Sequence, residues 1–154
     1  INEAADKIPL IKATNTSVGV SVLNEIVAYA TKLLQGFDIE IIEKHHNRKI
    51  DAPSGTANTL LEIINENLKE EYDTVYGREG HSKRKEKEIG MHSIRGGNIV
   101  GEHSVIFAKN DEIIEIKHEA LSRKIFSDGS VKAINYLKGK KPGMYTMKDV
   151  LGIK

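Results

Sequence analysis

The chain has 154 residues, of which 39% are hydrophobic and 29% are charged, and its formal net charge is +1. This length is ample for one domain and short for two complete ones, and the composition excludes a disordered or collagen-like chain. The near-zero charge excludes the global positive field that drives nonspecific binding, so we expect neither nucleic acid nor a membrane as partner. The absence of cysteine excludes disulfides and thiolate chemistry and agrees with a cytoplasmic location.

The first half of the chain predicts two strands and two helices. A short apolar strand is expected over residues 8–12, followed by a helix over residues 18–34, where apolar residues recur at spacings of three and four. Gly36 suits the end of that helix. Residues 38–43 alternate between polar and apolar, which predicts a half-buried strand, and a second amphipathic helix is expected to begin just after Pro53.

The second half predicts mainly strands. Residues 77–90 hold three glycines and a run of mixed charge, which is typical of a solvated loop. Three strands are then expected, forming an antiparallel meander, at residues 89–94, 103–109 and 112–120. A final helix is predicted from about Ser130 to Leu137. Together these elements predict an α+β fold.

The densest group of chemically useful side chains lies at residues 43–56, where two histidines and several cations precede a turn of small residues. A helix N-terminus presents unpaired N–H groups and the positive end of the helix dipole. Ser54, Gly55 and Thr56 therefore predict a cradle for a carboxylate or a phosphate. Lys49 would add a positive charge and a proton donor, and a histidine at the strand end would supply a second acid or base.

Simpler interpretations remain open at this point, since Ser-Gly-Thr before a helix is often only a cap and charged side chains are often only solvated. We expect no metal centre, because His45 and His46 are neighbours on a strand and point to opposite faces. Ser54 does not lie in a Gly-x-Ser-x-Gly turn, which disfavours a Ser-His-Asp hydrolase. No Gly-x-Gly-x-x-Gly motif is present. The residues alone therefore predict an α+β domain that binds a small anion through histidine and lysine.

Five stretches of the sequence carry a resemblance to a known family. The longest covers residues 43–57, with the sequence EKHHNRKIDAPSGTA, and the others, in the same order, cover residues 13–20, 77–80, 92–103 and 147–152. Together they resemble the bacterial 4-hydroxy-tetrahydrodipicolinate reductases, also called dihydrodipicolinate reductases. The resemblance implies a mostly antiparallel mixed sheet packed by helices on one face. It also implies an NAD(P)H-dependent reduction of a cyclic dicarboxylate in lysine and diaminopimelate biosynthesis.

The resemblance assigns roles by position in the matching stretches. His45 is implied as the acid/base histidine and Lys49 as the proton donor. The residues implied to hold the substrate carboxylates are His46, Lys49, Ser54, Gly55, Thr56 and Arg123. Those implied to lie near the nicotinamide of NADH or NADPH are Ala13, Thr14, Asn15 and Thr16.

The family's dinucleotide-binding domain, with its glycine-rich turn, is not present in this sequence. We therefore expect residues 1–17 to be a remnant of that domain, residues 18–138 to form the substrate-binding and oligomerisation domain, and residues 139–154 to return to the cofactor domain. Such a chain would be inactive alone. Similar enzymes are tetramers joined through this domain's sheet, so a homotetramer is expected. The alternatives are a dicarboxylate-binding protein or an oligomerisation module without catalysis.

Overall fold

A computed structural model describes residues 1–153 of the chain, which fold into two compact units. The first unit comprises Ile1–Val22 and the segment from Ser122 onward, and the second comprises Leu23–Leu121. The elements in chain order are α1 (Asn2–Ala5), β1 (Pro9–Ile11), α2 (Val18–Leu33), β2 (Asp38–His45), α3 (Gly55–Asn67), β3 (Asp73–Tyr76), β4 (Glu88–Arg95), β5 (Gly101–Lys109), β6 (Glu112–Ala120), α4 (Lys124–Leu137), β7 (Gly143–Tyr145) and α5 (Met147–Leu151). Among the described helices, none combines the length and apolar character needed to cross a membrane.

The second unit is built on a five-stranded mixed sheet with the order β3-β4-β2-β5-β6. The α+β class with a mixed sheet is thus confirmed. β2 runs parallel to β4 and antiparallel to β5, and β5 runs antiparallel to β6. The expected three-strand meander was wrong for its first strand, because β4 pairs with β2 and β3 and not with β5. Ile89 and Met91 of β4 are almost fully buried because β4 lies inside the sheet, between β2 and β3.

Both helices of the second unit pack on one face of the sheet, as predicted. Along β2 every second residue is buried, which confirms the period-two prediction. The buried cluster joins Leu23 and Val27 of α2 to residues of α3 and of three strands, β2, β4 and β5. The remaining members are Ile39, Ile41, Ala57, Leu60, Ile64, Ile89, Met91, Val105 and Phe107. Each of the large aliphatic side chains contributes about 1.5–3 kcal/mol by leaving water.

The helix boundaries follow the sequence signals in two of three cases. α2 begins at Val18 as predicted and ends before Gly36, whose φ of +78° suits glycine. α3 begins after Pro53 with Ser54 as its N-cap, and the Ser54 Oγ accepts a hydrogen bond from the Ala57 amide at 3.2 Å. α4 begins at Lys124, six residues earlier than expected, because its first turn contacts the 16–17 segment, a tertiary constraint that local periodicity does not carry.

The loop of residues 77–87 contains no helix or strand, as predicted, but two of its cations are not freely solvated. The Arg84 side chain donates to the carboxylates of Asp38 and Glu40 at 2.7 and 3.1 Å. Arg78 donates to Glu88 at 3.0 Å. These contacts tie the loop to one end of β2 and β4.

The first unit joins the two ends of the chain. β1 and β7 form a parallel pair in which Pro9, Leu10 and Ile11 lie opposite residues 143–145. A capping box between Thr146 and the first turn of α5 fixes the start of the last helix. β7 was not predicted, because its partner β1 lies at the other end of the chain. α5 was not predicted either, although Thr146 and Asp149 have the spacing of a capping box.

Gly129 provides a test of packing in the first unit. It is buried in α4, and a Cβ atom at this position would lie 1.9 Å from the carbonyl oxygen of Thr16. We expect Gly129→Ala to lower the free energy of unfolding by about 1–3 kcal/mol in urea denaturation, although alanine is the better helix former. The control is Gly96→Ala, because the nearest atom to its added Cβ lies 4.0 Å away. Equal stability of the two variants would contradict the close approach.

Candidate functional site

The candidate site lies where three strands and one helix of the second unit end or begin. β2 and β4 are parallel, so their carboxyl ends meet, and His45 lies directly opposite Arg95 in the register. β5 runs the other way and begins beside them at Gly101. The turn before α3 completes the group, and residues from four distant stretches of sequence therefore meet at one edge of the sheet.

A buried ion pair occupies the middle of the site. Glu43 is 0% exposed, and its two carboxylate oxygens accept hydrogen bonds from the two terminal nitrogens of Arg95 at 2.8 and 2.7 Å. Burial raises the pKa of Glu43, but the hydrogen bonds from Arg95, Ser93 and His45 outweigh it and hold the pKa below its ordinary value. The carboxylate is therefore ionised at neutral pH.

His45 is oriented by this carboxylate. Its Nδ1 atom lies 2.5 Å from the Glu43 Oε2 atom, and because an ionised carboxylate only accepts, Nδ1 carries the proton. The other ring nitrogen, Nε2, is left for chemistry. It faces Gly101, where an added Cβ would lie only 3.1 Å away. The absence of a side chain at Gly101 therefore makes room for the His45 ring.

Ser54 and His103 form a second polar contact behind the turn. The Ser54 Oγ lies 2.9 Å from the His103 Nε2, and both residues are buried. Burial, with a smaller contribution from the nearby His45, lowers the pKa of His103 to about 4, so this imidazole is neutral at physiological pH. A neutral His103 supports the cap of α3 without placing a charge behind the site.

Lys49 lies on the solvent side of the site. Its Nζ atom lies 2.8 and 2.9 Å from the two carboxylate oxygens of Asp51, and its side chain is 19% exposed. The hydrogen bond from Lys49 lowers the pKa of Asp51. Because Asp51 is exposed, this ion pair is weak. The ammonium group is therefore able to exchange Asp51 for an incoming carboxylate.

Gly55 and Thr56 form the first turn of α3. Gly55 is exposed, with no atom within 4 Å of an added Cβ, so a ligand has room to approach the backbone. Thr56 is 7% exposed. The adjacent loop is held by the amide of Lys49, which donates to the carbonyl of His46 at 3.1 Å. The second unit thus contains the predicted residues His45, His46, Lys49, Ser54, Gly55 and Thr56.

The predicted cofactor segment and Arg123 belong to the first unit. Ala13 and Thr14 are exposed after β1, and the Asn15 side chain accepts a hydrogen bond from the Ser17 amide at 2.9 Å. The Thr16 hydroxyl donates to a carbonyl of α4 at 2.8 Å. Arg123 is exposed at the start of α4. Their assigned roles stay predictions.

Sequence reasoning did not assign a role to Glu43, Arg95 or His103. One signal was available for Glu43: the period-two pattern of β2 places it on the same face as Ile39 and Ile41, where a lone carboxylate needs a buried partner. Nothing local identified that partner as Arg95, 52 residues later. The distance between Glu43 and Arg95 is set by the pairing of β2 with β4.

Comparison with known proteins agrees with this architecture. The family model described as "Dihydrodipicolinate reductase, C-terminus" matches residues 19–151. Two proteins named 4-hydroxy-tetrahydrodipicolinate reductase, from Brachyspira hyodysenteriae and Clostridium tetani, are 55% and 52% identical; each alignment covers 98% of this chain, and 65% and 60% of the respective relative. A solved structure, dipicolinate-bound dihydrodipicolinate reductase from Paenisporosarcina sp. TG-14, shares 25% identity with a TM-score of 0.70 and covers 92% of this chain and 55% of that one.

These matches first define the class, which is the C-terminal part of a reductase. The chain belongs to the dihydrodipicolinate reductase family, within the part that the C-terminal model describes. It spans roughly three-fifths of the length of the curated relatives it matches.

The buried neutral His103 predicts a pH dependence of stability. The unfolded chain takes up a proton at an ordinary histidine pKa of about 6.5, whereas folded His103 stays neutral until about pH 4. The free energy of unfolding should therefore fall by about 2 kcal/mol from this residue as the pH falls from 8 to 5. His103→Gln should remove that share of the slope in urea titrations, and His81→Gln, at an exposed loop position, should leave it unchanged. Parallel slopes for wild type and His103→Gln would contradict the assignment.

Proposed function

We propose that this chain supplies the substrate site and the proton donor for the NAD(P)H-dependent reduction of 4-hydroxy-tetrahydrodipicolinate, or dihydrodipicolinate, to tetrahydrodipicolinate in lysine and diaminopimelate biosynthesis. The observation that carries the proposal is the contact of one buried carboxylate, Glu43, with both His45 and the amide of Ser54. An acid/base histidine and an anion cradle are thereby held side by side. The family, the names of the relatives and the dipicolinate in the solved neighbour support the same reaction.

The substrate carries two carboxylates, and the site offers matching donors. We assign one carboxylate to the N-terminus of α3, where the amides of Gly55 and Thr56 precede the amide that Ser54 caps. His46 and Lys49 add charge-assisted hydrogen bonds. Ser54 contributes mainly by shaping the turn, because its Oγ already contacts His103. Arg123 stays in the assigned set by its position in the family pattern.

Proton transfer is assigned to Lys49 and His45. The cofactor supplies the hydride, so the protein must supply a proton to the reduced substrate. Lys49 lies in the loop before the turn of α3, and its partner, Asp51, is exposed, so Lys49 can exchange it for the substrate. His45 presents Nε2 with its tautomer set by Glu43, which suits an acid/base group that exchanges protons with bound substrate.

NADH or NADPH is the cofactor that this assignment requires. Residues 13–16 follow β1, and the exposed Ala13 and Thr14 have small side chains that suit close approach by a nicotinamide ring. The sequence contains no glycine-rich turn for the pyrophosphate, so most of the cofactor would bind to residues outside these 154. In a longer protein we assign residues 1–17 and 139–154 to the cofactor domain and residues 18–138 to the substrate domain, and we expect the chain alone to be inactive.

The proposed assembly is a cytoplasmic homotetramer joined through the sheet. On the face opposite the helices, Ile94 and Ile113 are 44% and 72% exposed. β6 forms one edge of the sheet, and an edge strand presents unpaired backbone groups to which another chain can pair. A second function, that of an oligomerisation module without catalysis, rests on the same surface. Oxidation of NADH or NADPH by the isolated chain with substrate present would count against that module and against our expectation of inactivity.

Ligand binding tests the substrate site directly. Pyridine-2,6-dicarboxylate should bind the chain in calorimetric titration, and Lys49→Ala should weaken binding by up to about tenfold, because one charge-assisted hydrogen bond is lost while the other donors remain. The control is Lys87→Ala, since Lys87 also pairs with an exposed carboxylate, that of Glu70, but lies outside the site. Absence of binding by the folded wild-type chain at millimolar ligand would refute the substrate assignment.

Turnover tests the proton donor. In a reductase of full family length built on this chain, Lys49→Ala should lower kcat by about 10²–10⁴, the usual contribution of a general acid. KM should change by no more than about tenfold, because other donors still hold the carboxylates. Steady-state kinetics at several pH values separates the two parameters, and a kcat within threefold of wild type would remove Lys49 from this role.

A further inference from the structure

We propose that Glu43 is the positioning residue of the site, holding the His45 ring and the substrate cradle in register through its two carboxylate oxygens. This inference rests on the proposed function, in which His45 acts on a substrate bound at the N-terminus of α3. It adds a residue that neither the sequence motifs nor the family match assigns.

The contacts divide between the two oxygens. Oε2 accepts from the His45 Nδ1 at 2.5 Å and from one Arg95 nitrogen at 2.8 Å. Oε1 accepts from the other Arg95 nitrogen at 2.7 Å and from the Ser54 amide at 3.2 Å. One rigid group therefore connects the end of β2 to the cap of α3, and it fixes where the imidazole lies relative to the cradle.

Arg95 is what permits a carboxylate at this depth. A buried charge without a partner is costly, and a planar guanidinium neutralises a carboxylate with two parallel hydrogen bonds. The same Arg95 nitrogen that contacts Oε1 also donates to the carbonyl of Asp51 at 2.7 Å. The Glu43–Arg95 pair thus holds the turn before α3 at two points, the carbonyl of Asp51 and the amide of Ser54.

A neutral amide cannot replace this carboxylate. The four nitrogens that contact Glu43 all donate, and Ser93 makes a further hydrogen bond to it. A glutamine side chain instead has one accepting oxygen and one donating nitrogen. In either orientation of the amide, the nitrogen end faces two donors. Glu43→Gln must therefore either lose the Ser54 amide or shift His45 to the Nε2–H tautomer, in which Nδ1 accepts, although the shape of the side chain is almost unchanged.

Nitrogen-15 NMR of the histidine-labelled chain tests the positioning role. In wild type at pH 9, His45 should be found only as the Nδ1–H tautomer, with its resonances assigned by comparison with His45→Gln. In Glu43→Gln the Nε2–H form should become populated, and affinity for pyridine-2,6-dicarboxylate should fall at least tenfold. Glu43→Asp, which keeps the charge, should restore the tautomer in part. The control is Glu102→Gln, since Glu102 is also a buried carboxylate that contacts two cations, Lys44 and Lys117, on the opposite face.

The outcomes separate the inference from the function on which it rests. An Nε2–H or mixed tautomer of His45 in wild type overturns the positioning role, and this measurement decides even if Glu43→Gln fails to fold. Unchanged tautomer and unchanged affinity in a folded Glu43→Gln overturn it as well. A pure Nδ1–H tautomer in a wild-type chain that does not bind the dicarboxylate supports the positioning of His45 and refutes the proposed substrate.

Discussion

The carboxylate of Glu43 is the constraint on which the site depends. It is fully buried, so it requires donors on every side, and the fold brings them from three places: Arg95 at the end of β4, His45 two residues further along β2, and the amide of Ser54 before α3. Satisfying one buried charge therefore fixes the relative positions of two strand ends and a helix N-terminus. These are also the elements that carry the chemistry we assign, and the requirement for stability coincides with the geometry of the site.

Charged side chains on the two faces of the sheet differ in their exposure to water. On the helix-covered face, Glu43 has no access to water, and neighbouring His103 adapts to burial by remaining neutral. On the opposite face, Glu40 and Glu102 contact arginine and lysine side chains that remain partly exposed. Pairs with a partly exposed member contribute less and can rearrange, whereas the Glu43–Arg95 pair cannot lose one partner without leaving a charge buried. We therefore expect substitutions on the helix-covered face to cost much more.

The site combines a rigid part with an adjustable part. His45 and the cap of α3 are locked by Glu43, and the imidazole Nε2 is presented at a fixed place beside Gly101. Lys49 is different, because its partner Asp51 is exposed and an incoming carboxylate can replace it. In the function that we propose, this combination would let Lys49 bind an incoming dianion while His45 stays in place.

Much of the fold and of the site could be predicted from local pattern. The helix starts at Val18 and after Pro53, the alternation along β2 and the cluster of histidine, lysine and small residues at positions 43–56 are all local features, since periodicity, capping and turn residues act over a few positions. Strand order depends on tertiary packing. β4 lies beside β2 because Ile89 and Met91 become buried there, and the local sequence pattern does not indicate this. The partners of Glu43 follow from that pairing. The sequence by itself therefore determined which chemical groups are present and the family they resemble, while only the tertiary structure decided which of them meet, because the contact between Glu43 and Arg95 joins residues 52 positions apart.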